Sequence, residues 1–120
     1  MTYRIAIGTS DGIHITEHFG QCSHFHILAV SQEDDSVTFI EDRITLHQDS
    51  CGGHQEAVIR GKIDALRDCQ LILVKQIGYR SEKLLIHNGI VPLQHEGTIS
   101  QALIKIKAFY KKHQFIRADA

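Results

Sequence analysis

Tryptophan is absent from this 120-residue chain, proline and methionine occur once each, and cysteine occurs three times. An odd cysteine count without a secretory signal does not make a disulfide framework. Basic residues are not in excess: thirteen Lys+Arg face fourteen Asp+Glu, a formal net charge of -1. A nucleic-acid binder shows a basic surplus or stripe, so that class is set aside. No apolar run approaches the roughly 18 residues of a membrane-crossing helix. Met1-Thr2-Tyr3-Arg4 leads straight into a strand pattern, with no apolar signal-peptide region. The expectation is a cytoplasmic protein with neither a membrane nor a nucleic-acid partner. Repeats, low-complexity tracts and linkers are also missing, which predicts one domain over residues 1–120, with a core of about 3–112 and a short frayed tail.

Several chemistries lack their residues. There is no Gly-x-x-x-x-Gly-Lys-Ser/Thr phosphate loop, no Gly-x-Gly-x-x-Gly after a strand and no Gly-x-Ser-x-Gly nucleophile elbow. The first strand pattern carries no acidic residue, which argues against a two-metal nuclease. Glu33, Asp34 and Asp35 read as the solvated tip of a hairpin rather than an acid/base pair.

What is present is an α/β pattern. Tyr3 to Gly8 alternates as a strand and runs into an Asp11-Gly12 turn. Phe25 to Val30 and Val37 to Ile40 read as the second and third strands, joined by a polar turn. The period then changes. Ile59, Ile63 and Leu66 fall at helical spacing between Gln55 and Arg67, and Leu71 to Val74 is an apolar run suited to a strand covered on both faces. Ser81 is the expected cap of a second helix that Gly89 stops. Ile90 to Leu93 is a short strand that Pro92 confines to an edge position or a strand end. Thr98 and Gln101 form a capping box ahead of a last helix with Ile99, Ala102, Leu103, Ile106 and Tyr110 on its apolar face. The order βββαβαβα predicts a mixed sheet, its first three strands an antiparallel meander, with helices packed on it.

Histidine is over-supplied, at nine residues. His14, His18, His24, His26, His47 and His54 lie in the first 54 residues with Cys22 and Cys51, eight of the twelve His+Cys residues. Imidazole and thiolate are the ligands of iron, zinc and copper. His24 and His26 share a face if they lie on a strand, and His18 and Cys22 sit in the loop before it. Against a ligand site stands the reading in which Phe19 and Phe25 anchor that loop and the histidines simply face water. In Cys51-Gly52-Gly53-His54, ahead of a helix, the helix dipole favours thiolate and the glycines let backbone N–H groups approach an anion. The alternative there is a loop with an incidental cysteine. Cys51 and His54 lack the second pair that a structural zinc finger needs. Cys69 reads as a buried small apolar residue, and His87, His95 and His113 as surface.

These motifs, taken in order, resemble a known family. The first strand with Ser10-Asp11-Gly12, then Glu17-His18-Phe19-Gly20 and Phe25, is similar to the opening of the dinitrogenase iron–molybdenum cofactor biosynthesis family, which includes NifX, NafY and the C-terminal domain of NifB. Asp68-Cys69-Gln70-Leu71-Ile72-Leu73-Val74-Lys75-Gln76-Ile77-Gly78 resembles its central segment, and Gly89-Ile90 with Gly97 to Leu103 resembles its ending. The match covers residues 3–112, and the Cys51–His54 loop is closest to the NifB type. The resemblance implies a ribonuclease H-like α/β fold. It also implies binding, carriage or storage, without catalysis, of the iron–molybdenum cofactor or an iron–sulfur precursor during nitrogenase cofactor assembly, alongside assembly proteins. His18 falls on the family's proposed cluster-ligating histidine, and Cys22 where many members have alanine or serine and some cysteine. The radical-SAM Cys-x-x-x-Cys-x-x-Cys motif is absent, so this chain is not expected to be the cluster-forming enzyme.

His18 and Cys51 are therefore the expected metal contacts, with Cys22, His24, His26, Gly52, Gly53 and His54 as secondary cofactor-binding candidates. The two loops are 33 residues apart, and the hairpin between them is expected to return the chain so that they meet on one side of the sheet. Two other readings stand beside this one: a simple zinc- or iron-binding module, and a metal-free interaction domain of the assembly machinery.

Overall fold

The computed structural model describes residues 2–45 and 55–118, with side chains over 2–45 and 57–111. Its elements in chain order are β1 (Thr2–Gly8), β2 (His14–Ile15), a 3-10 turn (Phe19–Gln21), β3 (His24–Ser31), β4 (Val37–Ile44), α1 (Gln55–Ala65), β5 (Leu71–Val74), α2 (Tyr79–His87), β6 (Val91–Gln94), β7 (Gly97–Thr98) and α3 (Ile99–Ala118). Five strands form one mixed sheet in the order β4-β3-β1-β5-β6, and β2 pairs with β7 in a separate ribbon. β1, β3 and β4 make the expected antiparallel meander. β5 and β6 then add parallel to β1.

Side-chain alternation along the strands divides the core into two layers. Tyr3, Ile5 and Ile7 of β1 turn to the face covered by α3, where they meet Leu28, Val30, Ile99, Ala102 and Ile106. Ala6 turns the other way, with Phe25, Ile27 and Ile72, under Ile59, Ile63 and Leu66 of α1 and its end and Leu85 of α2. All four residues of β5 are buried, as expected of a strand covered on both sides. A register shift between Ile27 and Leu28 leaves Ile40 as an extra residue in β4. Arg43 of β4 grips Asp68 through both guanidinium nitrogens, at 2.5 and 3.1 Å, and donates to Ala65 O at 3.0 Å, tying the sheet edge to the end of α1.

The ends of the helices follow local chemistry, with two departures from expectation. Thr98 and Gln101 do form a reciprocal capping box: Gln101 N–H donates to Thr98 Oγ1 at 3.1 Å and Thr98 N–H to Gln101 Oε1 at 3.2 Å. The cap of α2 is Gly78, not Ser81, which lies buried inside the first turn. The helix starts three residues early because Gly78 already has extended backbone and its carbonyl accepts from Glu82 N–H. α3 continues to Ala118, past the fraying expected after Lys112. β6 is the edge strand that Pro92 called for. No helix among the described residues is long and apolar enough to cross a membrane.

Gly89 ends α2 with φ 78, its N–H donating to Ile86 O while Ile90 N–H reaches Leu85 O. This is the left-handed C′ position of a Schellman motif. A Cβ there would touch nothing within 4 Å, so only backbone strain opposes a side chain. Gly89→Ala is expected to lower unfolding free energy by about 1 kcal/mol, and Gly89→Asn by less, in urea denaturation. An alanine variant as stable as the parent would contradict this C-cap.

Candidate functional site at the carboxyl end of the parallel strands

β1 and β5 run parallel and end at Gly8 and Val74. In open α/β sheets, ligands bind beyond the carboxyl ends of such strands. After Gly8 the chain makes an excursion through the Asp11-Gly12 turn and β2, then returns. Thr16 and Glu17 N–H groups both donate to Gly8 O, at 3.2 and 3.3 Å. The next residues lie across the end of β5: Lys75 N–H donates to Glu17 O at 2.9 Å, and Phe19 N–H to Gln76 O at 2.9 Å. His18 pairs with Gln76 in a parallel bridge. This crossing needs a glycine at position 8. A Cβ there would stand 3.0 Å from Glu17 Cβ and 3.1 Å from Val74 Cγ1.

His18 opens the 3-10 turn. Its carbonyl accepts from Gln21 and Cys22 N–H at 3.2 and 3.0 Å, while its side chain makes no cap and is exposed. Phe19 and Phe25 are fully buried, their rings 6.0 Å apart, so the anchoring role expected of them is observed. The backbone around His18 is thereby fixed while its imidazole faces outward.

A residue that the sequence reading did not single out holds this turn from below. Lys62 of α1 has no exposed surface. Its Nζ donates to Phe19 O at 2.8 Å and to Cys22 O, and it lies 5.4 and 5.8 Å from the ring centroids of Phe19 and Phe25. Burial pulls its pKa from 10.5 to about 8, and only an ionised Cys22 thiolate would work in the opposite direction. A signal was available: position 62 lies on the same stripe as Ile59, Ile63 and Leu66, the face of α1 that packs on the sheet.

The secondary candidates divide between the two faces of the sheet. Cys22 is 1% exposed, in the layer under α1 and α2, with Sγ 2.9 Å from His24 O. Burial pushes its thiol up to about 11, so it is a protonated core thiol rather than the thiolate a metal takes. His24 and His26 alternate with Phe25 and turn to the opposite face, as their spacing required. His24 opens β3 at the same end of the sheet as His18 and is exposed, its Nδ1 3.1 Å from Ser23 Oγ. His26 is engaged elsewhere, with Nδ1 2.8 Å from Asp42 Oδ1 and its ring 4.5 Å from that of Phe39.

Cys51, Gly52, Gly53 and His54 lie outside the described residues, as does His47. The point where the chain departs toward them is described. Thr45 N–H donates to Ser23 O at 2.7 Å and its Oγ1 to Cys22 O at 3.3 Å, beside the His18 turn. Among the described residues, no three His, Cys, Asp or Glu side chains are placed to hold a metal ion. Cys69 is buried as expected, its thiol pushed up to about 12 by burial and by Asp68. His87 is exposed, but His95 is not the surface residue expected: its ring is half-buried, and Nε2 is enclosed without a hydrogen-bond partner. The side chain of His113 lies outside the described residues.

Folding lowers the proton affinity of Lys62, so its protonated form weighs against the folded state. Its contribution to stability is least below pH 8 and grows as pH rises from about 8 toward 10.5. The buried thiols of Cys22 and Cys69 act oppositely above about pH 9, because folding raises their pKa values. Comparison with Lys62→Met isolates the lysine. The stability of wild type relative to this variant is expected to increase by about 1–2 kcal/mol between pH 7.5 and 9.5 in urea titrations. A difference that stays flat or shrinks over that window would contradict the buried ammonium.

A family profile described as "Dinitrogenase iron-molybdenum cofactor" matches residues 1–108. Over 92 residues the chain is 33% identical to the FeMo cofactor biosynthesis protein NifB of Azotobacter vinelandii, covering 73% of this chain and 18% of that protein. Over 99 residues it is 27% identical to the protein of the same name from Chlorobaculum tepidum, covering 82% and 22%. The chain thus spans about a fifth of the length of these curated relatives. Among solved structures, its fold is similar to that of a candidate dinitrogenase from Methanocaldococcus jannaschii, with TM-score 0.57, 16% identity and 90% of each chain covered. It is also similar to PH0822, with TM-score 0.61, 20% identity, and 88% of this chain and 90% of that one covered. At such identities the structural likeness concerns the fold alone. The profile match over residues 1–108 shows that this chain belongs to the dinitrogenase iron–molybdenum cofactor family.

Proposed function

We propose that this domain, taken as one unit over residues 1–120, receives an iron–sulfur-type metallocluster and hands it on during nitrogenase cofactor assembly, with no catalytic step of its own. The cargo is the iron–molybdenum cofactor or its precursor. The observation that carries this reading is His18: an exposed imidazole on a turn whose backbone is fixed at the carboxyl end of the parallel strands. The buried ammonium of Lys62 beneath that turn adds a positive charge, which suits an anionic cargo. In this reading His18 is the firm contact and Cys51 the thiolate contact, helped by the N–H groups of Gly52 and Gly53 and by His54. His24, exposed at the same end of the sheet, is a further contact in this reading. Cys22 and His26 join only by giving up the partners they hold. A few protein contacts, rather than a full thiolate cage, suit a preassembled cluster that must leave again. The setting is cytoplasmic, with assembly proteins as donor and acceptor, and the strand order fits a ribonuclease H-like classification.

Anaerobic titration with isolated iron–molybdenum cofactor tests this. His18→Ala and Cys51→Ala are each expected to weaken binding tenfold or more, and the double variant to lose less than the sum, because contacts to one ligand couple. Wild-type affinity in either single variant, strictly additive effects, or no binding by the parent, would overturn the reading.

A further inference from the structure

We infer that His14 is a second imidazole contact for the metallocluster, aimed by Asp11 and placed at the same end of the sheet as His18. The inference rests on the reading of that end as the cargo site and extends it to residues outside the motif that carries His18.

The geometry begins with β2. Its two residues pair with β7, His14 opposite Thr98 and Ile15 opposite Gly97. β7 follows the end of β6 as β2 follows the end of β1, so the ribbon lies beyond the carboxyl ends of the parallel strands. Ile15 is 3% exposed and packs in the layer under α3. Alternation along a strand then turns His14 away from the core, and its side chain is 55% exposed.

The imidazole is nonetheless held. Its Nδ1 lies 2.8 Å from Asp11 Oδ2. The other carboxylate oxygen, Oδ1, accepts from the N–H groups of Ile13 and His14, both at 2.8 Å, and from Thr9 Oγ1 at 3.3 Å. Thr9 Oγ1 also contacts His14 O at 2.5 Å, and Ile99 N–H donates to Ile13 O at 2.8 Å, joining the excursion to the start of α3. A carboxylate only accepts, so the ring proton sits on Nδ1 and the lone pair of the neutral ring is on Nε2. Nε2 has no hydrogen-bond partner among the described residues. A carboxylate on one ring nitrogen, with the other left free, is how metal-binding histidines are oriented and made more basic.

His14 cannot form a site for a bare ion with its neighbours, since no three ligating side chains converge among the described residues. A polynuclear cluster can instead be touched at separated points. His14 and His18 are four positions apart in the chain, so their Cα atoms lie at most about 14 Å apart. The inference requires one cluster to reach both imidazoles across that span.

The test uses the full chain under anaerobic conditions, with isolated iron–molybdenum cofactor as probe. Long-range proton–nitrogen spectra of the imidazoles are expected to show His14 protonated on Nδ1 and not on Nε2. Its ring signals should broaden when the paramagnetic cofactor is added below stoichiometry. His14→Ala and Asp11→Asn are each expected to weaken binding about tenfold. Asp11→Asn keeps an oxygen for the two backbone N–H groups, and urea midpoints establish whether the turn survives. If Asp11→Asn unfolds, His14→Ala alone decides. Wild-type affinity in His14→Ala, with His18→Ala impaired, would overturn this inference and leave the proposed cargo site standing. No binding by the parent would overturn both.

Discussion

The turn that presents His18 depends on one buried ammonium group. Lys62 donates to the carbonyls of Phe19 and Cys22 and lies over two aromatic faces, with no water-exposed surface of its own. Burying an amine costs several kcal/mol unless its protons are matched, roughly the scale of a domain's whole stability margin. The carbonyls that match it close the 3-10 turn, and each accepts a second donor as well: Phe19 O from Cys22 N–H and Cys22 O from Thr45 Oγ1. The turn thus solvates the lysine, and the lysine joins the turn to α1. Phe19 and Phe25 close the site against water. The backbone of a surface loop is thus held like core, while His18 remains outside.

This arrangement shapes what the end of the sheet can do. Gly8 lets the returning chain lie directly on β1 and β5, and the bridge from His18 to Gln76 places the turn over the parallel strands. Thr45 brings the end of β4 to the same place. In the proposed reading, one rigid contact and one contact from a separate segment would grip a large cluster and still release it. A cage of thiolates would bind more tightly and let go less readily.

Much of the fold was legible because it rests on local periodicity. The meander followed from three alternating segments, and the covered strand from Leu71 to Val74. The capping box at Thr98 and Gln101 and the stop at Gly89 followed from side-chain chemistry that acts within four residues. β2 and β7 were not legible, since two-residue strands have no period and exist only through each other. The cap of α2 moved to Gly78 because backbone conformation, not side-chain type, decided that helix start. At the site, the exposure of His18 and the anchoring by Phe19 and Phe25 were readable from their motif. The inward turn of Cys22 was not, because ligand and core cysteines share the same letter and only packing separates them. Lys62 was hidden by the habit of reading lysine as solvent-facing, although its spacing put it on the buried stripe.

The central claim is that Lys62 sets the His18 turn in its cargo-receiving shape. The most direct measurement pairs amide hydrogen exchange at Gln21 and Cys22 with anaerobic cofactor affinity in Lys62→Met at neutral pH. The account predicts faster exchange at both amides and markedly weaker binding, although His18 itself is unchanged. Parent-like protection together with parent-like affinity would contradict it.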